Sequence, residues 1–190
     1  MEIVFASGNA GKAREVSAIL RAAGHEVVAR PMYIGEIESG TTYLENARIK
    51  AWSVARLLPG LVVLGDDAGI EIDALNGLPG VHTAYFSGPA ATPSRNVDKV
   101  LRLLDGVPDE HRTGRYRVTA VLVLPSAAEV IGQGVLEGRF ITERRGSGGF
   151  GYDPIFMPDG ESRTVAEMRE DEKNVMSHRA RALHDLLSKL

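Results

Sequence analysis

The sequence predicts a mixed α/β or α+β protein with one sheet covered by helices. Three observations lead there. Apolar runs alternate with helical patterns through the first hundred residues, two long β-rich stretches follow at 115–124 and 129–141, and no repeat, low-complexity segment or charge block interrupts the order. At 190 residues the chain has the size of a single domain with a substantial core.

Residues 2–7 read as a buried strand, and 12–23 as a helix with Val16, Ile19, Leu20 and Ala23 on one face and Gly24 at its stop. Residues 26–30 form a short second strand. Thr42 and Glu45 fit a capping box, after which Leu44, Ala47, Ala51, Val54 and Leu58 recur at helical spacing until Pro59 and Gly60. The continuous apolar run 61–64 is a strand that enters Gly65-Asp66-Asp67-Ala68-Gly69, read as a loop, and 70–75 alternates like a further strand. Thr92 caps a third helix with Pro93 at its first position, Val97, Val100, Leu101 and Leu104 on its apolar face and Gly106 beyond its end. Residues 115–124 and 129–141, separated by Pro125 and Ser126, suggest a pair of long antiparallel strands. Residues 177–190 close the chain as a helix with Ala180, Leu183, Leu187 and Leu190 apolar.

Composition excludes several functions. With 44% hydrophobic and 25% charged residues the chain is typical of soluble globular proteins, and no apolar stretch reaches the ~20 residues of a membrane span. Glu2 and the short run 3–6 do not form a signal peptide, so a cytoplasmic location is expected. Cysteine is absent, which removes disulfides, thiolate catalysis and Cys-zinc sites and leaves oxygen or imidazole as metal ligands, a preference that points to magnesium or manganese. A net charge of -3 provides no footprint for nucleic acid. Nucleotide ligands, if any, are expected to be free ones.

Four stretches could carry chemistry. Ser7-Gly8-Asn9-Ala10-Gly11-Lys12 lies between strand and helix, where backbone N–H groups, a helix N-terminus and an ammonium converge, an arrangement suited to a polyphosphate. It is not a Walker A loop, since only two residues separate Gly8 from Gly11 and Ala13 follows Lys12. A plain turn with a solvated lysine is the alternative. Asp66 and Asp67 end an apolar strand, where charge is costly unless paired or bound to a cation; alternation turns them in different directions, so one of them is expected to face a site. They read equally as an Asp-rich turn or a metal site, with Glu38 as a second oxygen ligand or a solvated loop acid.

The stretch from Arg145 to Phe156 has glycines at 146, 148, 149 and 151 around Phe150 and Tyr152, which allow close backbone approach and stacking on a flat ring. Lys173, His178 and Arg179 surround the start of the last helix, where cations oppose the helix dipole unless an anion or a base acceptor is near. Ser177 as a simple cap is the alternative.

Taken together these stretches resemble the inosine triphosphate pyrophosphatase family, the dITP/XTP pyrophosphatases. The resemblance spans nearly the whole chain and includes Glu38-Ser39-Gly40 ahead of Glu45-Asn46-Ala47, Asp66 to Ile70, Gly77-Leu78-Pro79-Gly80-Val81, Gly148 to Phe156, and Ser177-His178-Arg179 with Ala182-Leu183. It implies a long twisted mixed β-sheet flanked by helices, two lobes with the active cleft between them, and a homodimer. It implies hydrolysis of ITP, dITP and XTP to the monophosphate and pyrophosphate with Mg2+. Carried over by position, Ser7, Gly8, Asn9, Ala10, Gly11 and Lys12 cradle the triphosphate and Lys50 adds charge. Glu38 and Asp67 hold magnesium, and Asp67 is also the base toward water. Phe150 stacks on the purine, Gly151, Tyr152 and Asp153 shape its pocket, and Lys173, His178 and Arg179 contact base or phosphates. Ala68 stands where the family usually has serine, so a substrate-binding hydroxyl is missing, at a cost of ~0.5–1.5 kcal/mol.

Two other classes share some of these features. An inactive nucleotide-binding regulator would keep the glycine loops but has no need of Glu38, Asp67 and Lys12 together. A Maf-like pyrophosphatase acting on pyrimidine or modified nucleotides fits the Gly148 to Phe156 and Ser177 to Arg179 stretches less well.

Overall fold

The structure, a computed structural model, describes residues 1–28 and 39–190. Its strands are β1 (Glu2–Phe5), β2 (Glu26–Val28), β3 (Val62–Ile72), β4 (Thr113–Val123), β5 (Glu129–Phe140) and β6 (Phe156–Pro158). Its α-helices are α1 (Ala10–Ala22), α2 (Tyr43–Ala55), α3 (Pro93–Leu103), α4 (Glu170–Met176) and α5 (His178–Leu187). The strands form one mixed sheet in the order β2-β1-β3-β4-β5-β6, as the sequence predicts in class. β1 is parallel to both β2 and β3, and β6 is antiparallel to β5. Only residues 124–128 join β4 to β5, too few for a parallel crossover, so these neighbours run antiparallel. Among the described residues no helix is long and apolar enough to cross a membrane.

The chain gathers into two compact units: Met1–Ala68, Val118–Val135 and Asn174–Leu190 in the first, Gly69–Arg117 and Leu136–Lys173 in the second. The first unit is a layered α/β structure. On one face of its strands Ile3, Phe5, Leu64, Val118, Ala120 and Leu122 pack with Val16, Ile19 and Leu20 of α1 and Ala180, Leu183 and Leu186 of α5. On the other face α2 covers Val63 through Val54, and Val121 and Val123 through Ala47 and Ala51. In the second unit Tyr116 meets Phe156 edge-on at 4.8 Å and Phe140 lies 5.1 Å from Phe156.

The caps follow the sequence signals. Thr42 and Glu45 form the expected capping box, and Thr92 accepts a hydrogen bond from the Arg95 amide with Pro93 at the first helical position. Helix α1 begins two residues before the expected Lys12, because Asn9 takes the cap and accepts from the Lys12 amide. Residues 29 and 30 of the expected second strand lie outside the described residues. The last helix ends at Leu187, and α4, a separate helix ahead of it, was not legible as such.

The main correction concerns 61–75. In place of two strands and an Asp-rich loop there is one eleven-residue strand, β3, whose backbone stays extended through Gly65-Asp66-Asp67-Ala68-Gly69. Charge did not force a turn because both carboxylates are buried beside cations. The strand gives way to a 3-10 turn at Asp73–Leu75, closed by Asn76 in the left-handed region.

Alternation along β3 then assigns sides. Leu64, Asp66 and Ala68 share the face toward α1 and α5, and Val63, Gly65 and Asp67 the face toward α2. Gly65 is where α2 comes closest: a Cβ there would lie 2.6 Å from the Ala51 nitrogen and 2.7 Å from the Ala47 oxygen. Gly65→Ala is therefore expected to cost about 1–3 kcal/mol by overpacking, or roughly 2–12 °C in melting temperature. A circular-dichroism melt unchanged from wild type would contradict so close a helix-strand contact.

Candidate active site

The loop after β1 is held by its own side chains. The Asn9 amide donates to Ser7 Oγ at 3.2 Å, and Asn9 Oδ1 accepts from the Lys12 amide at 3.1 Å. Gly8, Asn9 and Ala10 are exposed. Asn9 satisfies the third N–H of α1, and the amides of Ala10 and Gly11, at the first two helical positions, have no intrahelical acceptor. Such a turn receives an anion readily.

Lys12 points inward from this turn, its Nζ 3.1 Å from Asp66 Oδ1. The other Asp66 oxygen accepts from Arg179 Nε at 2.9 Å, and Arg179 Nη1 donates to Glu15 Oε2 at 2.7 Å. Burial alone would raise the Asp66 carboxyl, but the Lys12 ammonium and Arg179 guanidinium outweigh it and hold the group well below the usual carboxylate range. Burial likewise works against the Arg179 charge, and Glu15 and Asp66 more than restore it. Lys12 is held below the ordinary ammonium value chiefly by burial, with Asp66 opposing and Lys50 and Arg179 adding to the effect.

On the other side of β3, Asp67 is 4% exposed. Lys50 Nζ donates to Asp67 Oδ1 at 2.6 Å and to the Asp66 carbonyl at 3.2 Å, and Asn46 Nδ2 donates to Asp67 Oδ2 at 3.3 Å. Asn46 and Lys50 sit one turn apart on α2, so a single helix face reaches both oxygens of the carboxylate. Ala68 is half-buried against the apolar cluster on the Asp66 side.

Ser177 caps α5 by accepting from the Ala180 amide at 3.1 Å, which places His178 and Arg179 in the first turn, both buried. That turn rests directly on β5, where a Cβ at Gly134 would lie 2.0 Å from the His178 oxygen.

In the second unit Asp153 organises the glycine-rich loop. It accepts from the Phe150 amide at 2.8 Å, from Lys173 Nζ at 2.7 Å and from Tyr116 Oη at 3.0 Å. Gly149, at φ +69°, leaves room for this: a Cβ there would meet Asp153 Oδ2 at 2.1 Å. Lys173 Nζ also lies 4.5 Å from the centre of the half-buried Phe150 ring, a cation–π contact. Tyr152 is buried and donates to the Thr83 carbonyl at 2.9 Å, and burial pushes its phenol upward.

The expected residues therefore fall into two groups. Ser7, Gly8, Asn9, Ala10, Gly11, Lys12, Lys50, Asp67, Ala68, His178 and Arg179 belong to the first unit, and Phe150, Gly151, Tyr152, Asp153 and Lys173 to the second. Glu38 lies outside the described residues. Among the described residues no group of three or more His, Asp or Glu side chains is placed to hold a metal ion. Four further residues that touch the expected ones have no role assigned from the sequence: Glu15, Asn46, Thr83 and Tyr116. Two had a usable signal, since Glu15 follows Lys12 by three and Asn46 precedes Lys50 by four, the spacings that share a helix face. Thr83 and Tyr116 meet the loop only through tertiary folding.

The sequence profile of the Ham1 family matches residues 3–189. The chain is 43% identical over 193 residues to a dITP/XTP pyrophosphatase of Methylococcus capsulatus, with 100% of this chain and 96% of that one covered. It is 46% identical over 193 residues to a dITP/XTP pyrophosphatase of Opitutus terrae, covering 96% and 95%. Among solved structures, a HAM1 protein from Coxiella burnetii superposes with a TM-score of 0.85 at 38% identity over 100% of both chains. A nucleoside-triphosphatase/dITP/XTP pyrophosphatase from Mycobacterium abscessus gives 0.75 at 38% identity, covering 100% and 99%.

Arg179, 2% exposed between two carboxylates, tests the buried network directly. Arg179→Met leaves Glu15 and Asp66 without their shared cation and is expected to cost about 3–5 kcal/mol in urea unfolding. A loss below ~1 kcal/mol would mean that solvent reaches and screens the pair.

Proposed function

Because the chain belongs to the Ham1 family, we propose that this hydrolase cleaves ITP, dITP and XTP to the nucleoside monophosphate and pyrophosphate. The observation that carries the reading is Asp67: a buried carboxylate with both oxygens oriented by α2, one residue from the Asp66–Lys12 pair that ends at the exposed N-terminus of α1. Alignment and charge neutralisation are what phosphoryl transfer chiefly requires.

In this reading the orphan amides of Ala10 and Gly11 and the Lys12 ammonium hold the phosphates, with Ser7, Gly8 and Asn9 shaping the turn. Asp67 accepts the proton of a water whose oxygen bonds to the α-phosphorus, while the bridging oxygen leaves with pyrophosphate. Lys50 keeps the carboxylate aimed. Arg179, enclosed by Glu15 and Asp66, acts as a positioning residue for Lys12 through their shared aspartate. In the second unit Phe150 supplies a stacking face, stiffened by Lys173 and by the Asp153 bond to its own amide, and Tyr152 is fixed from behind by Thr83.

The donor set suits magnesium. Lys12, Lys50 and Arg179 are matched by Glu15, Asp66 and Asp67, so these side chains bring no net positive charge to a triphosphate, and hard carboxylate oxygens favour a small divalent cation. Asp67, with Glu38 from the sequence, would hold Mg2+, which supplies the missing neutralisation of the phosphates when bound. The reading extends to free nucleotides as substrates and to a cytoplasmic homodimer.

A pyrophosphate-release assay over purine and pyrimidine triphosphates with magnesium tests the proposal, with ITP, dITP and XTP expected to exceed ATP, GTP and the pyrimidines. Faster turnover of a pyrimidine would overturn the assignment. Asp67→Asn is expected to lower kcat at least about 100-fold, the usual worth of a general base, with the circular-dichroism spectrum retained. A near-wild-type rate would remove Asp67 from that role.

A further inference from the structure

Asn46 is 2% exposed and bridges two backbone-distant points. Its Oδ1 accepts from the Gly40 amide at 2.9 Å, and its Nδ2 donates to Asp67 Oδ2 at 3.3 Å. The orientation is not arbitrary. A backbone N–H must meet an acceptor, so the carbonyl end of the amide faces Gly40 and the donor end is left for the carboxylate. The Gly40 contact is tight, for a Cβ on that residue would lie 2.6 Å from Asn46 Oδ1. One turn later Lys50 takes the other oxygen of Asp67. The helix itself is anchored just ahead of Asn46, where Glu45 Oε2 accepts from the Thr41 and Thr42 amides and Thr42 Oγ1 accepts from the Glu45 amide.

We infer that Asn46 is a positioning residue for the hydrolysis: its amide, polarised by Gly40, fixes the plane of the Asp67 carboxylate and ties it to the chain segment entering α2. The inference rests on the assignment of Asp67 as the base. An ammonium such as that of Lys50 is a point charge on a flexible stem and by itself does little to resist rotation of a carboxylate about its own axis. A second donor from a stiff two-torsion side chain removes that rotation. Substrate affinity should be untouched, since the phosphate-facing amides and Lys12 belong to another element.

Asn46→Asp separates the two halves of the bridge. It keeps an acceptor for Gly40 and the side-chain shape, and replaces the donor facing Asp67 by a carboxylate oxygen. Asn46→Ala removes both halves and serves as the second variant should Asn46→Asp fail to fold. The expected result is a fall in kcat for ITP of about 10- to 100-fold in both variants with KM within about three-fold, the range typical of groups that orient a reacting ligand. Hydrogen exchange supplies a readout independent of turnover: the Gly40 amide should keep its protection in Asn46→Asp and lose it in Asn46→Ala. In the double variant with Asp67→Asn, Asn46→Ala should lower the residual rate no further. Unchanged kcat in a folded Asn46 variant, beside an inactive Asp67→Asn, would overturn the inference and leave the base assignment standing. An active Asp67→Asn would overturn both. Loss expressed wholly in KM would make Asn46 part of substrate binding instead.

Discussion

Two neighbouring carboxylates inside a sheet survive burial only if each finds a cation on its own side of the strand. Asp66 and Asp67 meet that condition in opposite directions, Asp66 toward Lys12 and Arg179 and Asp67 toward Lys50. Much of the first unit follows from it. Helix α1 must start where Lys12 can reach down, α5 where Arg179 can reach across, and α2 must lie close enough for Lys50 and Asn46 to touch the strand.

Close approach is obtained by omitting side chains. Gly65 lets α2 rest on β3, and Gly132 and Gly134 let α5 rest on β5, with a Cβ at Gly132 falling 2.1 Å from the Ala182 oxygen. In the second unit Gly149 does the same for Asp153. The charged groups are thereby held by backbone packing as well as by one another. Buried ion pairs of this kind add little to net stability compared with apolar packing, yet they are severe when half removed. Their presence here is best understood as the maintenance of a fixed electrostatic arrangement.

The class of the fold, its three long helices, their caps at Thr42 and Thr92 and the long β-rich pair were legible because each depends on local periodicity and turn chemistry. The strand β3 was misread at its centre, since Gly and Asp favour turns in isolation and only tertiary cation partners keep them extended. Among the proposed site residues, the loop from Ser7 to Lys12 carries its own signal in the strand-to-helix junction. The roles of Glu15 and Asn46 were half legible from helix spacing. That Arg179 is enclosed between Glu15 and Asp66 could not be read at all, because its partners stand 164 and 113 residues away in sequence.

If β3 divides its two aspartates between holding the structure and performing the chemistry, replacing Asp66 should damage a different property from replacing Asp67. The decisive measurement is the unfolding free energy and the kcat of Asp66→Asn, determined on the same preparation with saturating ITP. The account predicts a stability loss of about 3–5 kcal/mol, as for any half-removed buried ion pair, with kcat of the folded enzyme retained within about ten-fold. A variant of wild-type stability that has lost turnover would contradict it, and would make the two carboxylates a single catalytic unit.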